Sequence, residues 1–167
     1  MRADPDVADF DGVFRALYPQ ARTVAHRILG SLADAEDAAS EGLARALADW
    51  KRVGRLEHRD AWILRVTINA ALDVARRRNR SLPDEVAPSQ GDDDETVLRL
   101  TLVAALAELP VRQREAVVLR HLAGLSEQEV AAALGVSHNT AKKHLQRGMA
   151  RLRSSPTMTE EMTLAFD

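Results

Sequence analysis

The chain has 167 residues, 46% apolar and 29% charged, values that suit one average globular domain or two small ones. It contains no cysteine, which excludes disulfide frameworks and thiolate metal sites, and no apolar run long enough to cross a membrane. The formal net charge is −2, but the charges are unevenly distributed along the chain. Six acids and no bases lie in residues 81–97, between two segments in which bases outnumber acids.

Apolar residues recur at helical spacing through the first 80 residues, where we expect four helical segments. Asp34 and Asp37 have the spacing of a helix cap and its partner, so the second helix is predicted to begin after Asp34. Gly54 marks a loop before the last helix of this block. The three longer helices are predicted at about residues 9–29, 35–50 and 61–79.

Residues 81–97 contain two prolines, a glycine and six acids, a composition that cannot bury enough apolar surface to offset the entropy of ordering. We therefore expect a flexible acidic linker there. Pro110 suits the first turn of a later helix, and residues 126–129 form a capping-box pattern. The later helices are predicted at about residues 96–109, 110–124, 126–134 and 137–153.

No segment alternates with period two, so the predicted fold class is all-α. We expect two small helical domains joined by the linker, the second containing a helix-turn-helix. The predicted divisions are a first domain at residues 1–80, the linker at 81–97, a second domain at 98–155 and a tail at 156–167.

The helix-turn-helix is predicted at residues 125–153. A short amphipathic helix leads into Gly135, whose tolerance of a positive φ suits a tight turn, and Ser137 caps the next helix. That last helix turns Ala141, Leu145 and similar residues inward and carries amide and basic side chains on its other face. Amides can pair with adenine, and cations with guanine or phosphate, so this helix is predicted to enter the major groove of DNA. The alternative is an ordinary solvated basic helix in a small bundle.

The helix at residues 61–80 carries a polar stripe along an otherwise apolar surface. Its terminal arginines could simply complement the helix dipole, but Asn69 is a poor helix former in the middle of the helix. An aromatic side chain beside amide and cationic groups can bind an unstacked base, so we expect contact with single-stranded nucleic acid. The stripe comprises Trp62, Arg65, Asn69, Asp73, Arg76 and Arg80.

Several of these motifs together resemble the extracytoplasmic-function (ECF) kind of sigma factor, a small class of the sigma-70 family. DAEDAASE at residues 34–41, AWILRV at 61–66, NAALD at 69–73 and three arginines at 76–78 look like region 2 of that family. Leu109-Pro110, Gln113-Arg114-Glu115-Ala116 and residues 125–153 look like region 4.

The resemblance implies a role for each motif. The acidic helix would dock on core RNA polymerase, the Asn69 helix with the loop before it would recognise and help open the minus-10 promoter element, and the last helix would read the minus-35 element. It also implies that catalysis belongs to the polymerase, that no cofactor or metal is needed, and that an anti-sigma factor is a further partner. The implied sites are Asp34, Asp37, Ser40 and Glu41 for polymerase; Trp62, Arg65, Asn69, Asp73, Arg76, Arg77 and Arg80 for minus-10; Ser137, His138, Asn139, Thr140, Lys142, Lys143, Gln146 and Arg147 for minus-35.

The chain departs from the family pattern at a few of these positions. Ser40 stands where the family usually has glutamine, and His138-Asn139 replaces a common acidic-glycine pair. Ala141 and Lys143 replace the more usual valine and small residue of the last helix. The departures bear on the polymerase contact and on which promoter is read, rather than on the class.

Two other classes of function fit the sequence less well. A stand-alone helix-turn-helix regulator would need a ligand, receiver or dimerisation domain in residues 1–80, and no such pattern occurs there. An enzyme would need a catalytic set, but the histidines form no i, i+4 pair and no glycine-rich phosphate loop occurs. The acidic N-terminus, with no apolar segment behind it, further predicts a cytoplasmic protein without membrane insertion.

Overall fold

A computed structural model describes residues 5–81, 94–156 and 158 of the chain. All secondary-structure elements within these ranges are helical, which confirms the predicted all-α class. The helices are α1 (Pro5–Leu29), α2 (Leu32–Ala48), α3 (Trp50–Val53), α4 (Arg59–Ser81), α5 (Asp94–Ala107), α6 (Val111–Val117, continued by a π-helical turn at Val118–Leu122), α7 (Glu127–Leu134) and α8 (His138–Ser154).

The N-terminal unit is a bundle in which α1, α2 and α4 pack against one another. Leu43 of α2 and Ile63 and Leu64 of α4 are fully buried in its core. Gly42 lets α2 and α4 approach closely, since a Cβ at this position would lie 3.1 Å from the Cα of Thr67. This close packing fixes the direction of α4, and so the placement of its polar stripe.

Two predicted boundaries in this unit were wrong. The cap of α2 is Ser31, whose side chain accepts from the backbone N–H of Asp34, and not Asp34 itself. Because Ser31, three residues upstream, supplies the cap for the N–H of Asp34, the helix begins one turn earlier than predicted. The helix also ends at Ala48, and Trp50 opens the separate α3, where its ring meets that of Phe10 edge-on at 5.0 Å.

The C-terminal unit contains the predicted helix-turn-helix. Ser126 and Glu129 form the capping box of α7, Gly135 takes a φ of 65° at its end, and Ser137 caps α8. The inner residues of α8, among them Ala141 and Leu145, are buried against α6 and α7. These local signals were all predicted from the sequence and are confirmed.

The predicted linker is shorter at both ends than the sequence indicated. Ser81 is the last residue of α4, and α5 already begins at Asp94. Asp94 and Glu95 lie in the first turn of α5, where acids are stabilised by the helix dipole. Residues 82–93 lie outside the described part of the chain, as does most of the predicted tail.

The two units pack against each other along α4. Helix α4 contacts α5, α6 with its π-helical turn, and α7. Side chains of α1 reach across as well, since Gln20 Nε2 donates to the carbonyl oxygen of Ala123 at 3.2 Å and Arg27 Nη1 to that of Leu122 at 2.8 Å. Part of the polar stripe of α4, at Arg65 and Asn69, therefore lies at the boundary between the units.

Replacing Ser126 by alanine is expected to lower the free energy of unfolding by about 1 kcal/mol, because the capping box loses both its side-chain bonds to Glu129. Hydrogen bonds from Ser126 lower the pKa of the Glu129 carboxyl, so this acid is ionised and accepts fully at neutral pH. Urea unfolding followed by circular dichroism measures the loss. A matched Ser154→Ala variant, at the far end of α8, is expected to change stability much less; equal losses would contradict a specific capping effect.

Candidate nucleic-acid interface

The outer face of α8 is a continuous exposed surface of amide and basic side chains. Asn139, Lys142, Lys143, Gln146 and Arg147 are all exposed, while Leu145 and Met149 anchor the opposite face in the core. Gly148 permits this anchoring, since a Cβ there would lie 2.7 Å from Cγ2 of Val117 on α6. One face of the helix is thus packed against the core and the other is open to a ligand.

The start of α8 is fixed by its own cap. The Ser137 hydroxyl accepts from the backbone N–H of Thr140 at 3.2 Å and lies 2.9 Å from the Thr140 hydroxyl. His138 is exposed, and its Nε2 lies 3.3 Å from a carboxylate oxygen of Glu127 on α7. The free helix N-terminus and these short polar groups form the end that would enter a groove first.

A second site lies on α4 and the loop before it. The guanidinium of Arg52 lies 5.3 Å from the centre of the Trp62 ring, a cation–π contact. Trp62 and Arg65 line a cleft of about 400 Å³ with His58 on one side and residues 132–135 of the C-terminal unit on the other. Of the cations predicted from the sequence for this site, the structure brings Arg65 to the same cleft as the Trp62 ring.

Arg65 and Asn69 share one hydrogen-bond acceptor, Glu115, at the boundary between the two units. Arg65 Nε and Asn69 Nδ2 donate to Oε1 of Glu115, at 3.1 and 2.8 Å, and Arg65 Nη1 donates to the carbonyl oxygen of Ala133 at 3.1 Å. The Glu115 side chain is only 3% exposed. Both predicted base-binding side chains are consequently engaged by the C-terminal unit.

The remaining residues of the stripe separate from this cluster. Asp73 and Arg76 pair with each other, one turn apart. Arg77 and Arg80 are exposed, and Arg77 lies beside the acidic helix α2 rather than beside Asn69. The predicted minus-10 residues thus form one compact group, Trp62, Arg65 and Asn69, and a looser cationic end.

The acidic surface of α2 is open. Asp37, Ser40 and Glu41 are exposed, and Glu41 accepts from Arg45 Nε at 2.7 Å. Asp34 is half-buried, and its carboxyl pKa is lowered by a hydrogen bond from Ser31 and by its pairing with Arg78. Asp34 therefore has a structural partner, whereas Asp37 and Ser40 project freely from the helix.

Sequence reasoning assigned no role to three residues that the structure brings to these sites. Arg52 lies over Trp62, Arg78 pairs with Asp34, and Glu115 engages the α4 cluster. Of these three residues, only Glu115 could have been identified from the sequence. It adjoins the apolar run Ala116-Val117-Val118-Leu119, and an acid on a buried helix requires a partner.

Within the described ranges, no group of three or more histidine or acidic side chains is placed to hold a metal ion. Among the same residues no helix is long and apolar enough to cross a membrane.

Comparison with known proteins identifies the arrangement. Residues 13–81 match the family Sigma-70 region 2, and residues 99–152 match Sigma-70, region 4. The RNA polymerase sigma-E factor of Streptomyces coelicolor is 35% identical over 89% of this chain and 86% of its own length. The ECF RNA polymerase sigma factor SigM of Mycobacterium tuberculosis is 31% identical over 86% of this chain and 74% of its own length.

A solved structure agrees with these relatives. The sigma factor RpoE in complex with the anti-sigma factor NepR from Bartonella quintana matches with a TM-score of 0.55 and 25% identity, over 87% of this chain and 94% of that one. The chain belongs to the sigma-70 family, as an RNA polymerase sigma factor of the ECF kind. Its function is promoter recognition in transcription initiation, and its partners are core RNA polymerase and promoter DNA.

Proposed function

We propose that α8 is the helix that reads the minus-35 element in duplex DNA. The observation that carries this proposal is the exposed face of amides and cations on a helix whose opposite face is buried in the core. Lys142, Lys143 and Arg147 would supply phosphate or guanine contacts, and Asn139 and Gln146 would read base edges. Ser137, His138 and Thr140 would contact the backbone at the helix start, where the N–H groups favour phosphate.

The α4 helix would recognise and open the minus-10 element. Opening a duplex costs unstacking free energy, and a ring such as Trp62 beside Arg65 and Asn69 offsets that cost by binding an extruded base. The exposed cations Arg77 and Arg80 would attract the strand backbone, and Arg76 with Asp73 would border the site. Arg52 over Trp62 adds a further cation to this group.

The acidic face of α2 would dock on core polymerase. Asp37 and Glu41 are the exposed acids of this face, with Ser40 between them, and Asp34 borders it. Charge complementarity to a basic polymerase surface would speed association and set the orientation of docking. Ser40, in place of the family's glutamine, offers a shorter hydrogen-bonding group at the centre of the contact.

The chain itself would carry no catalytic chemistry, and the polymerase would perform the reaction in the cytoplasm. An anti-sigma factor is a further proposed partner, supported by the complex in which the matching RpoE structure was solved. A stand-alone regulator is the weaker reading, because residues 13–81 match region 2 rather than a sensory or dimerisation domain.

The test mixes the purified chain with core RNA polymerase for size-exclusion chromatography, then transcribes a library of random promoter fragments. We expect co-elution and new transcripts that share two sequence elements upstream of their starts. Core polymerase alone is the control and should give neither. Selective binding to duplex DNA without any polymerase binding would instead support the stand-alone regulator.

A further inference from the structure

The first residue of α8 is a histidine that is paired across the turn of the helix-turn-helix. His138 Nε2 lies 3.3 Å from Oε2 of Glu127, which stands in the first turn of α7. The two side chains are 50% and 38% exposed, so both groups reach solvent. Neither residue caps a helix, because Ser126 caps α7 and Ser137 caps α8. Since an exposed pair of this kind contributes little to stability, the turn does not depend on the contact.

The contact decides which nitrogen of His138 is left for another partner. An ionised carboxylate accepts and cannot donate, so the nitrogen that faces Glu127 is the one that carries a proton. Nδ1 is then the nitrogen that remains. It is bonded to Cγ and therefore lies nearer the main chain than Nε2, beside the first N–H groups of α8, which have no acceptor within the helix. Nδ1 of the neutral ring is an acceptor, whereas Nδ1 of the imidazolium is a donor.

A phosphate oxygen of DNA distinguishes these two states of the ring, because it accepts hydrogen bonds and cannot donate them. At the start of α8, where backbone N–H groups favour an anion, the oxygen would meet a lone pair on the neutral ring and a proton on the imidazolium. Only the second contact is attractive. Binding of this phosphate is therefore coupled to uptake of one proton by His138, and imidazole side chains take up that proton between about pH 5 and pH 8.

The charged groups that face this pair lie on α7, on α8 and on the π-helical turn. The dipole of α8 opposes a cation at its start, and so does Lys142, one turn further along the exposed face. The carboxylate of Glu127 offsets both. Arg120 and His121 of the π-helical turn line a cavity of about 430 Å³ with Glu127, so they share the field of its carboxylate. A phosphate brought by DNA adds a second negative charge beside the imidazolium of His138.

We propose that Glu127 is a positioning residue of the minus-35 surface, which holds His138 so that its Nδ1 donates to a DNA phosphate once the ring is protonated. Affinity for the minus-35 duplex then rises as pH falls through the range in which imidazole gains its proton. The inference rests on the proposed role of α8 in reading duplex DNA. The family that this chain resembles commonly has an acid at the position of His138, and an acid would repel the phosphate at every pH.

The experiment measures the affinity of the full chain for a labelled duplex at about pH 6 and about pH 8, at constant ionic strength. The duplex carries the minus-35 element recovered from transcripts selected with core polymerase, and fluorescence anisotropy gives the dissociation constant. We expect affinity on the order of fivefold greater at the lower pH, the gain expected from one exposed charge-assisted contact. His138→Gln should bind equally at both pH values and match the unaltered chain at the higher pH, because glutamine stays neutral.

Two other histidines provide matched controls. His144→Gln removes a half-buried histidine from the same helix, almost two turns from its start. His121→Gln removes the histidine that shares a cavity with Glu127. Both variants should keep the pH effect of the unaltered chain. If either loses as much of the effect as His138→Gln, the proton is not taken up by His138 and the proposal is overturned.

Glu127→Gln separates positioning from simple repulsion. An acid beside DNA repels phosphate, so its removal alone would tighten binding at both pH values and leave their ratio unchanged. Loss of positioning instead lowers that ratio toward unity, and Glu127→Asp, which keeps a carboxylate, should recover part of it. Glu108→Gln, at an exposed position of the same unit, gives the effect of charge alone. A ratio that stays at its original value in Glu127→Gln overturns the proposal.

The outcomes also separate this inference from the proposed function of α8. If the unaltered chain prefers the duplex to a scrambled one but binds equally at both pH values, α8 keeps its reading role and only the His138 contact is wrong. If it shows no preference at either pH, both proposals fail. Glu127→Gln is expected to fold, because the side chain is exposed and Ser126 still caps α7. Should circular dichroism show that it does not fold, the comparison of His138→Gln with His144→Gln decides the outcome.

Discussion

Replacing Lys142, Lys143 and Arg147 together by alanine is expected to weaken binding to the minus-35 duplex by at least about 100-fold, since each well-placed contact contributes about 1–3 kcal/mol. All three side chains are exposed on α8 and none supports its packing, so folding should be retained. The slope of log affinity against log salt should fall by about 2.7, because each neutralised phosphate contributes roughly 0.9. Anisotropy of a labelled duplex, taken from the selected promoters, measures both quantities.

The control for this variant removes three cations elsewhere. Arg15, Arg22 and Lys51 lie on α1 and α3, outside the α8 surface. Their joint replacement by alanine changes the net charge equally and should leave most of the affinity and slope intact. If both variants lose the same affinity, the attraction is a property of net charge alone, and α8 is not the reading helix.

Local signals predicted the helix-turn-helix because each depends on residues close in sequence. Ser126 and Glu129 lie three residues apart, and Gly135 and Ser137 border a single turn, so backbone hydrogen bonding alone determines their roles. The prediction of the α2 cap was wrong because Ser31 and Asp34, three positions apart, are both residues that commonly cap helices. Propensity alone did not decide between them.

Contacts between segments far apart in the chain could not be predicted from the sequence. Asn69 and Glu115 lie 46 residues apart, on opposite sides of the acidic linker, and nothing in either helix specifies the other as its partner. The polar stripe of α4 was predicted correctly as a surface with unusual composition. The engagement of Arg65 and Asn69 by the C-terminal unit depends on how two packed units meet, and that is determined by shape and pairing over the whole interface.

Reversing the charge of Asp37 and Glu41 with arginine is expected to abolish co-elution with core polymerase, raising the dissociation constant on the order of 100-fold or more, because like charges brought together at an interface cost several kcal/mol. Both acids are exposed on α2, and neither caps the helix, so the variant should fold. Asp34 is left unchanged because its carboxylate pairs with Arg78 and its backbone N–H is bound by the cap Ser31. Size-exclusion chromatography and a titration with labelled polymerase measure the loss.

The matched control reverses two acids outside this surface. Asp11→Arg places a new cation on the exposed side of α1, and together with Asp9→Arg it gives the same change in net charge. Asp9 accepts from Arg59, so melting temperatures are compared for both variants before binding is interpreted. If the α2 variant still co-elutes with polymerase, the acidic face of α2 is not the docking surface and polymerase docks elsewhere. Loss of binding in the α2 variant alone, with duplex binding through α8 intact, separates the docking surface from the DNA-reading surface within one chain.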